Sequence, residues 1–511
     1  MPEKLSVKII SKNAPSPRNC KGITTYGSAN CDHISFPLED TRALMDLRGS
    51  FAMVVESPDS VTLICDPIRS IPLFYSVTHK GIVVGCHGVA VAEECGMELD
   101  QEAATEFLYA RYVTGIRTLF KNVYAVNPGE ILRISREDGS VSRRFYYELL
   151  YCMEGREEVP VSRLIEEFDA CLEDVFRDLA KRLNGRPVLI PLSAGCDSRT
   201  AAVMFKRIGY PDVACFYFGR KINRDAATSR AIAENLGYPW VLAETTNERW
   251  GKLYQSDVYS QYLEYSCNGN SMGTARTFLG PLIVKDRFQD RVVVPGHTLD
   301  VEMGSHLPAW SREKEISREM LTAYNIQWHY SLRLHPEKCA ASIRRWSEKL
   351  PEKMDAAAAI REFQHFEWLN RQPKFIVNEL RMYEFLQFAG WEIPFWDTRV
   401  CDFATKLTPF QLEGRNFQYR YMEKIINPLA GIQQTYPAAG EVPEKTKTSR
   451  FQELKACLRR YRDSGLSLYG HMSFPEYLNW VRKCGTYFNI HAKTAEDGLN
   501  RILAKYHLPM P

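Results

Sequence analysis

The stretch with the most chemical potential is Pro187-Val188-Leu189-Ile190-Pro191-Leu192-Ser193-Ala194-Gly195-Cys196-Asp197-Ser198-Arg199. Its apolar start predicts a buried strand, Ser193 to Ser198 a tight turn, and Thr200 to Ile208 a helix that Gly209 stops. A strand–turn–helix of this kind aims backbone N–H groups and the positive helix end at one point, a geometry that holds phosphate. The hydroxyls of Ser193 and Ser198 can add donors. Asp197 would repel phosphate unless a cation or a donor network intervenes, so it points to Mg²⁺ with a polyphosphate. No Gly-Lys-Ser/Thr follows, so this is not a Walker loop. The plainer alternative is an ordinary strand-to-helix turn in an α/β domain.

The surrounding pattern supplies elements to position such a loop. Val213–Phe218, Trp240–Ala243 and Arg291–Pro295 read as further strands, with a helix at Asp225–Leu236 that Gly237 ends. Strand and helix alternating in this way predict a parallel sheet. A loop from Gly296 to Gly304 follows the last strand, and the remainder reads mostly helical. Upstream, residues 1 to about 135 read as β-rich. Short runs at Phe51–Val55, Thr62–Cys65, Leu73–Ser76, Ile82–Val84 and Ile131–Ile134 predict antiparallel hairpins, with a helix at Glu102–Tyr109. Polar residues from Glu154 to Pro160 read as a link, and Val161–Leu183 as a long amphipathic helix.

Composition limits the function classes. The 511 residues suffice for two or three domains, and 45% hydrophobic with 25% charged residues is ordinary for a globular protein. A net charge of +3 argues against a surface built for nucleic acid or anionic membrane. No apolar run reaches membrane-span length and Met-Pro-Glu-Lys opens no secretory segment, so a cytoplasmic location is expected. The 14 cysteines form no paired C-x-x-C clusters and the 11 histidines show no metal-binding spacing. Cys196 reads as a small loop filler.

Three sets of residues carry a family resemblance. The loop is similar to the pyrophosphate loop of PP-loop ATPases, Ser-Gly-Gly-x-Asp-Ser, with Ala194 in place of the first Gly. Gly49-Ser50-Phe51-Ala52 followed by Cys65-Asp66-Pro67-Ile68-Arg69-Ser70-Ile71-Pro72-Leu73-Phe74-Tyr75 resembles the amidotransferase domain of asparagine synthetases. Pro295-Gly296-His297-Thr298-Leu299-Asp300 and Gly390-Trp391-Glu392-Ile393-Pro394-Phe395-Trp396-Asp397 resemble that family's second phosphate loop and its later Glu-containing segment. The order and spacing run from about residue 45 to about 450. The resemblance implies an α/β protein. Residues 1–150 would form an Ntn-hydrolase-like (αββα) amidotransferase domain, and residues 160–511 a Rossmann-like PP-loop ligase domain with a helical C-terminal part.

It also implies the chemistry. ATP and Mg²⁺ would serve to adenylate a carboxylate, and ammonia or another amine would then form the amide, releasing AMP. Leu192, Ser193, Ala194, Gly195, Cys196, Asp197, Ser198, Phe218 and Gly296 are expected at the nucleotide, with Asp197 and Asp300 on the metal. Glu392 reads equally as a proton acceptor or as half of an ion pair. Lys447 reads equally as a transition-state cation or a solvated loop residue. Asp225 reads as a site acid or a helix N-cap.

The family's glutaminase domains use an N-terminal Cys, whereas this chain begins Met1-Pro2 and Cys20 and Cys31 are internal, so no glutamine hydrolysis is expected. The amine would then come from another source, such as a separate protein. Arg381, Tyr383 and Glu384 resemble the subgroup tied to surface polysaccharides, which implies a uronic acid acceptor, with aspartate as the conservative alternative. Intramolecular amide formation, as in β-lactam synthetases or lasso-peptide cyclases, a tRNA-modifying enzyme using Lys455, Arg459, Arg460 and Arg462, and a non-catalytic nucleotide-binding scaffold stay open. So does a homo-oligomer.

Overall fold

The computed structural model describes residues 4–20, 22–32, 34, 36, 41–153, 159–219, 222–308, 313–333, 335–436 and 490–509, with a few single positions between 455 and 478. Lys447 and Arg450, Arg459, Arg460 and Arg462, and the Met1-Pro2 start lie outside the described residues.

Two sheets build the N-terminal part. β1 (Val7–Ile10), β6 (Phe74–Thr78), β7 (Gly81–Gly85) and β8 (Tyr124–Ala125) form one, in the order β1-β7-β6-β8. The other contains β2 (Arg18–Cys20), β3 (Ile23–Tyr26), β4 (Ala52–Glu56), β5 (Ser60–Cys65), β9 (Glu130–Ser135) and β10 (Val141–Phe145), in the order β10-β9-β5-β4-β3-β2. All pairings are antiparallel except β1 with β7.

Ala52, Val54, Leu63, Leu132, Ile82 and Val84 fill the space between the sheets. Met53, Ile64 and Ile131, one residue out of phase, meet Leu44, Leu47 and Phe51 on the far face. Burial on both faces explains why β4 and β5 read as continuous apolar runs. The expected hairpins β4–β5 and β6–β7 exist, but they belong to different sheets. The helix Gly88–Cys95 packs on the four-stranded sheet and Gln101–Ala110 packs on the helix Ile490–Lys505, and their apolar residues belong to the same core as the second half of the chain. On the far side of the six-stranded sheet lies the single turn Arg42–Met45.

The sheet switch between β5 and β6 is made by the amidotransferase-like turn. Asp66 is 2% exposed, and its carboxylate accepts from the N–H groups of Phe51 (2.9 Å), Ile68 (3.1 Å) and Ser70 (3.0 Å). Buried Arg69 donates to Val126 O at 2.8 Å and lies over the Phe74 ring. Trp368 donates to Pro67 O at 2.6 Å, which anchors this turn to the C-terminal half.

The helix Val161–Leu183 appears as the apolar spacing requires, burying Leu164, Phe168, Leu172, Val175 and Leu179. Beyond it, β11 (Val188–Pro191), β12 (Val213–Gly219), β13 (Trp240–Glu244) and β14 (Val292–Val293) form a parallel sheet in the order β13-β12-β11-β14. Trp391 pairs parallel with Val293 and continues this sheet past β14. Chain order reverses between β11 and β14. In open α/β sheets that switch point leaves a crevice at the carboxyl ends of the strands.

The C-terminal part is helical and is tied to the N-terminal sheets by buried cations. Lys374 donates to Val113 O and Gly115 O, each at 2.7 Å. Arg111 meets Glu379 at 2.7 Å. On the helix Val377–Phe385, Arg381 and Tyr383 are both 2% exposed, and Arg381 reaches Asn13 O at 2.7 Å. Among the described residues no helix is long and apolar enough to cross a membrane.

Candidate functional site at the sheet switch point

The switch-point crevice is where the two phosphate-loop-like segments meet. After β11, the helix runs Cys196–Arg207, starting four residues earlier than the apolar pattern predicts. Asp197 and Ser198 therefore belong to its first turn rather than to the preceding loop. An acid there suits the helix dipole and capping preferences, which outweigh the turn character of the residues. Gly195 precedes the helix in an extended conformation (φ −71°, ψ 168°), and no side chain caps the helix start. Its first N–H groups are thus left without a side-chain acceptor, as in an anion site. Ala194 does not adopt a positive φ, so its methyl group is compatible with this turn. Ser193 Oγ and Ser198 Oγ lie 3.1 Å apart, Ser193 N donates to Ser198 Oγ, and Gly195 N donates to Ser193 Oγ, both at 3.1 Å.

From β14 the chain brings Gly296 onto this helix start. A β-carbon on Gly296 would stand 2.4 Å from Ser198 N and 2.8 Å from the Asp197 carbonyl carbon. The expected loop is interrupted by one helical turn, Leu299–Glu302. It presents Asp300 N to Asp197 Oδ2 at 3.2 Å, while Gln418 Nε2 donates to Asp197 Oδ1 at 2.7 Å. Burial pushes the Asp197 carboxyl well above its usual range, and the Asp300 carboxylate adds to the push. Buried Glu302 lies beside them. Its carboxyl is also raised, by burial first and then by Asp197 and Asp300, and its Oε2 has no hydrogen-bond partner among the described residues. This pair of acids is the arrangement a cation would relieve, although no group of three or more His, Cys, Asp or Glu able to hold a metal occurs among the described residues. Asp197 and Asp300 are the two carboxylates that a cation at this helix start would meet. Glu302 was missed in the sequence, where Asp300-x-Glu302 was the available signal.

Arg199 was also missed as a functional residue. It is fully buried and braces the loop, donating to Ala194 O at 2.7 Å and Gln434 Oε1 at 2.8 Å. Tyr436 OH lies 3.3 Å from Arg199 and 3.6 Å from Cys196 Sγ. Cys196 is a buried thiol with its pKa raised by burial, in keeping with a filler. Leu192 is 1% exposed and within the core, with its carbonyl accepting from Ser229 Oγ at 2.6 Å. Phe218 is half-buried and packs on Gly280 of the helix Ala275–Phe288. Asp225 does not cap its helix: Asn223 does, accepting from Ala226 N at 2.8 Å, with Asp225 in the first turn.

Glu392 lies apart from the loop. It is 5% exposed, its N–H donates to Val293 O at 3.0 Å, and its carboxylate meets Arg182 at 3.1 Å. Two further nitrogens of Arg182, Nε and Nη1, are buried without a hydrogen-bond partner among the described residues. Both residues line a cleft with ≈ 580 Å³ of empty volume, between Gly49–Phe51 and Asp66–Ser70 on one side and Trp391–Thr398 on the other.

In the N-terminal sheets, burial pushes the thiol of Cys31 up to about 11 and that of Cys86 up to about 12. These are the opposite of activated nucleophiles.

Residues 39–147 match the glutamine amidotransferase domain family. No curated protein matches the chain. Among solved structures, the glutamine phosphoribosylpyrophosphate amidotransferase of B. subtilis, complexed with ADP and GMP, is similar at 11% identity. That match covers 54% of this chain and 56% of the other, with a TM-score of 0.16. The chain thus spans little more than half the length of that structure, and so low a score leaves the domain match to carry the likeness. The N-terminal part of the chain is an amidotransferase-type, Ntn-hydrolase-like domain, joined to a parallel α/β sheet with C-terminal helices.

Proposed function

We propose that the chain is an ATP-dependent carbon–nitrogen ligase of the asparagine synthetase type. A substrate carboxylate oxygen would attack the α-phosphorus of ATP, expelling pyrophosphate and leaving an acyl-adenylate. Ammonia or another amine would then attack the acyl carbon, lose a proton and expel AMP. The observation that carries this reading is the meeting of Asp197 and Asp300 over an uncapped helix start at the sheet switch point. Backbone N–H groups at Gly195–Ser198 would hold pyrophosphate oxygens, and Arg199 would keep the loop in shape. Mg²⁺ on Asp197 and Asp300 would neutralise charge building on the polyphosphate.

The Arg182 ion pair favours a positioning role for Glu392 over that of a free base. The acceptor class is a small or sugar carboxylate, with a uronic acid ahead of aspartate.

Chromatography of nucleotide products tests this. Protein, Mg²⁺-ATP and ammonium, mixed with aspartate or a panel of uronic acids, should yield AMP and pyrophosphate with one acceptor. Asp197→Asn should abolish that yield. ATP binding with no AMP across the panel, or an unchanged yield in Asp197→Asn, would sink the reading.

A further inference from the structure

Two arginines approach the start of the helix Cys196–Arg207, and only one of them is committed to holding the loop. Arg199 is fully buried, and its guanidinium is spent on Ala194 O, Gln434 Oε1, Asn427 Oδ1 and Tyr436 OH. Arg415 is half-buried and arrives from late in the chain. It precedes the helix Asn416–Tyr421 in the left-handed region (φ 64°, ψ 32°), directly after Gly414 at φ 55°. Three residues on, Gln418 Nε2 donates to Asp197 Oδ1 at 2.7 Å, which fixes this helix to the acid of the phosphate loop.

Tyr419 holds Arg415 in place. The guanidinium lies 4.6 Å from the Tyr419 ring centroid and donates to the Tyr419 hydroxyl. Tyr419 stacks on Tyr436, with centroids 4.3 Å apart and planes 6° apart. Tyr436 OH lies 3.6 Å from Cys196 Sγ and 3.3 Å from Arg199 Nη1. Arg415 is thus linked, ring by ring, to the first residue of the phosphate-loop helix. Its guanidinium has donors to spare. An arginine carries five N–H groups. Among the described residues Arg415 hydrogen-bonds to Tyr419 alone and forms no ion pair. Burial raises the Asp197 carboxyl and the Cys196 thiol, and the Arg415 charge is among the groups that pull both back down. A polyphosphate here would add negative charge beside Asp197, Asp300 and Glu302, which calls for cations on its free oxygens.

Resting on the nucleotide reading of this crevice, we propose that Arg415 is a further substrate-binding residue, whose guanidinium fork grips the β- and γ-phosphate oxygens of ATP and holds them as pyrophosphate leaves. Its tie to Asp197 through the helix of Gln418 puts it at the pyrophosphate end. When the bond from the α-phosphorus to the bridging oxygen breaks, the electron pair goes to that oxygen. The new charge then falls on the part of the ligand that Arg415 holds. A planar fork matches two phosphate oxygens at once, and stacking on Tyr419 fixes its plane. The α-phosphate, which stays with AMP, is outside its grip.

Calorimetric titration of the full chain with Mg²⁺-pyrophosphate, Mg²⁺-ATP and AMP tests this. The wild type should bind all three saturably. Arg415→Gln should weaken pyrophosphate and ATP about tenfold to hundredfold and leave AMP unchanged, which also shows that the variant is folded. Arg415→Lys, which keeps the charge without the fork, should fall between the two. Arg420→Gln is the control: on the same helix, 45% exposed and paired with Glu423 at 3.1 Å, it should bind all three as the wild type does. Wild-type affinity for pyrophosphate in Arg415→Gln, or an equal loss for AMP, would overturn the role of Arg415 and leave the nucleotide reading in place. No saturable binding of ATP or pyrophosphate to the wild type would overturn both.

Discussion

Replacing Gly296 by alanine would drive a methyl group into the start of the helix Cys196–Arg207. The new carbon would stand 2.4 Å from Ser198 N, where ordinary contact begins at 3.4 Å, so the loop after β14 must retreat by about 1 Å. The neighbours are backbone atoms at 2.4–2.8 Å, which cannot swing away as a side-chain tip could. Gly296 does not have a positive φ, so the whole effect is steric. Overpacking of this kind costs about 1–3 kcal/mol, which lowers the melting temperature of a chain this long by roughly 1–3 °C. The retreat also carries Asp300 N away from Asp197 Oδ2, now at 3.2 Å. A displacement of about 1 Å at reacting groups costs roughly a hundredfold in rate. Pyrophosphate release by Gly296→Ala should therefore fall far more than its stability does. Gly209→Ala is the control: nothing lies within 4 Å of its new methyl, and only the positive φ of +69° is strained, about 1 kcal/mol with no effect on rate. A Gly296→Ala protein that melts with the wild type and releases pyrophosphate at the same rate would refute the packing of the two loops.

Three further outcomes follow from buried polar groups. The folded imidazole of His87 lies at about 3, below its ordinary value near 6.5, so the unfolded chain binds its proton first. Stability should accordingly fall as pH drops from about 6.5 towards 3, and denaturant titrations of His87→Phe across that window should show a shallower loss. Lys374→Met should cost about 2–4 kcal/mol, because it strips the donor from two buried carbonyls that tie the halves of the chain together; chemical denaturation reads this directly. Arg182→Met and Glu392→Gln should each destabilise by about 1–3 kcal/mol, with a double mutant well short of additive, since each single change leaves the other side chain without its counter-charge. Additive effects would show that the pair is not coupled.

Much of the second half was legible because its signals are local. The strands at Val188, Val213 and Val292 are apolar runs that need burial on both faces, Trp240–Glu244 is a half-buried edge strand, and Val161–Leu183 carries its apolar stripe in its spacing. The Asp66 turn was legible as a motif, although its role in crossing from β5 to β6 was not. The strands β1–β3 were not read, since Val7–Ile10 is short and half-exposed and pairs only with β7 far along the chain, and Arg18–Cys20 is a three-residue edge strand whose hairpin with Ile23–Tyr26 carries no apolar alternation. The helix start at Cys196 was misplaced because turn-favouring residues are also the residues a helix accepts in its first turn.

What the amino-acid sequence determined alone was therefore the parallel-sheet half and the strand–loop–helix around Ser193–Ser198, with Asp197 and Asp300 singled out on separate segments. Tertiary structure decided which of these meet. It set Gly296 and Asp300 against the helix start through the return of the chain to β14, and it placed Glu302 in the same acidic cluster. It turned Glu392 toward Arg182. The physical reason is range. Periodicity and backbone preference act over a few residues and are written in local order, whereas charge pairing and close packing between distant segments exist only once the chain has folded.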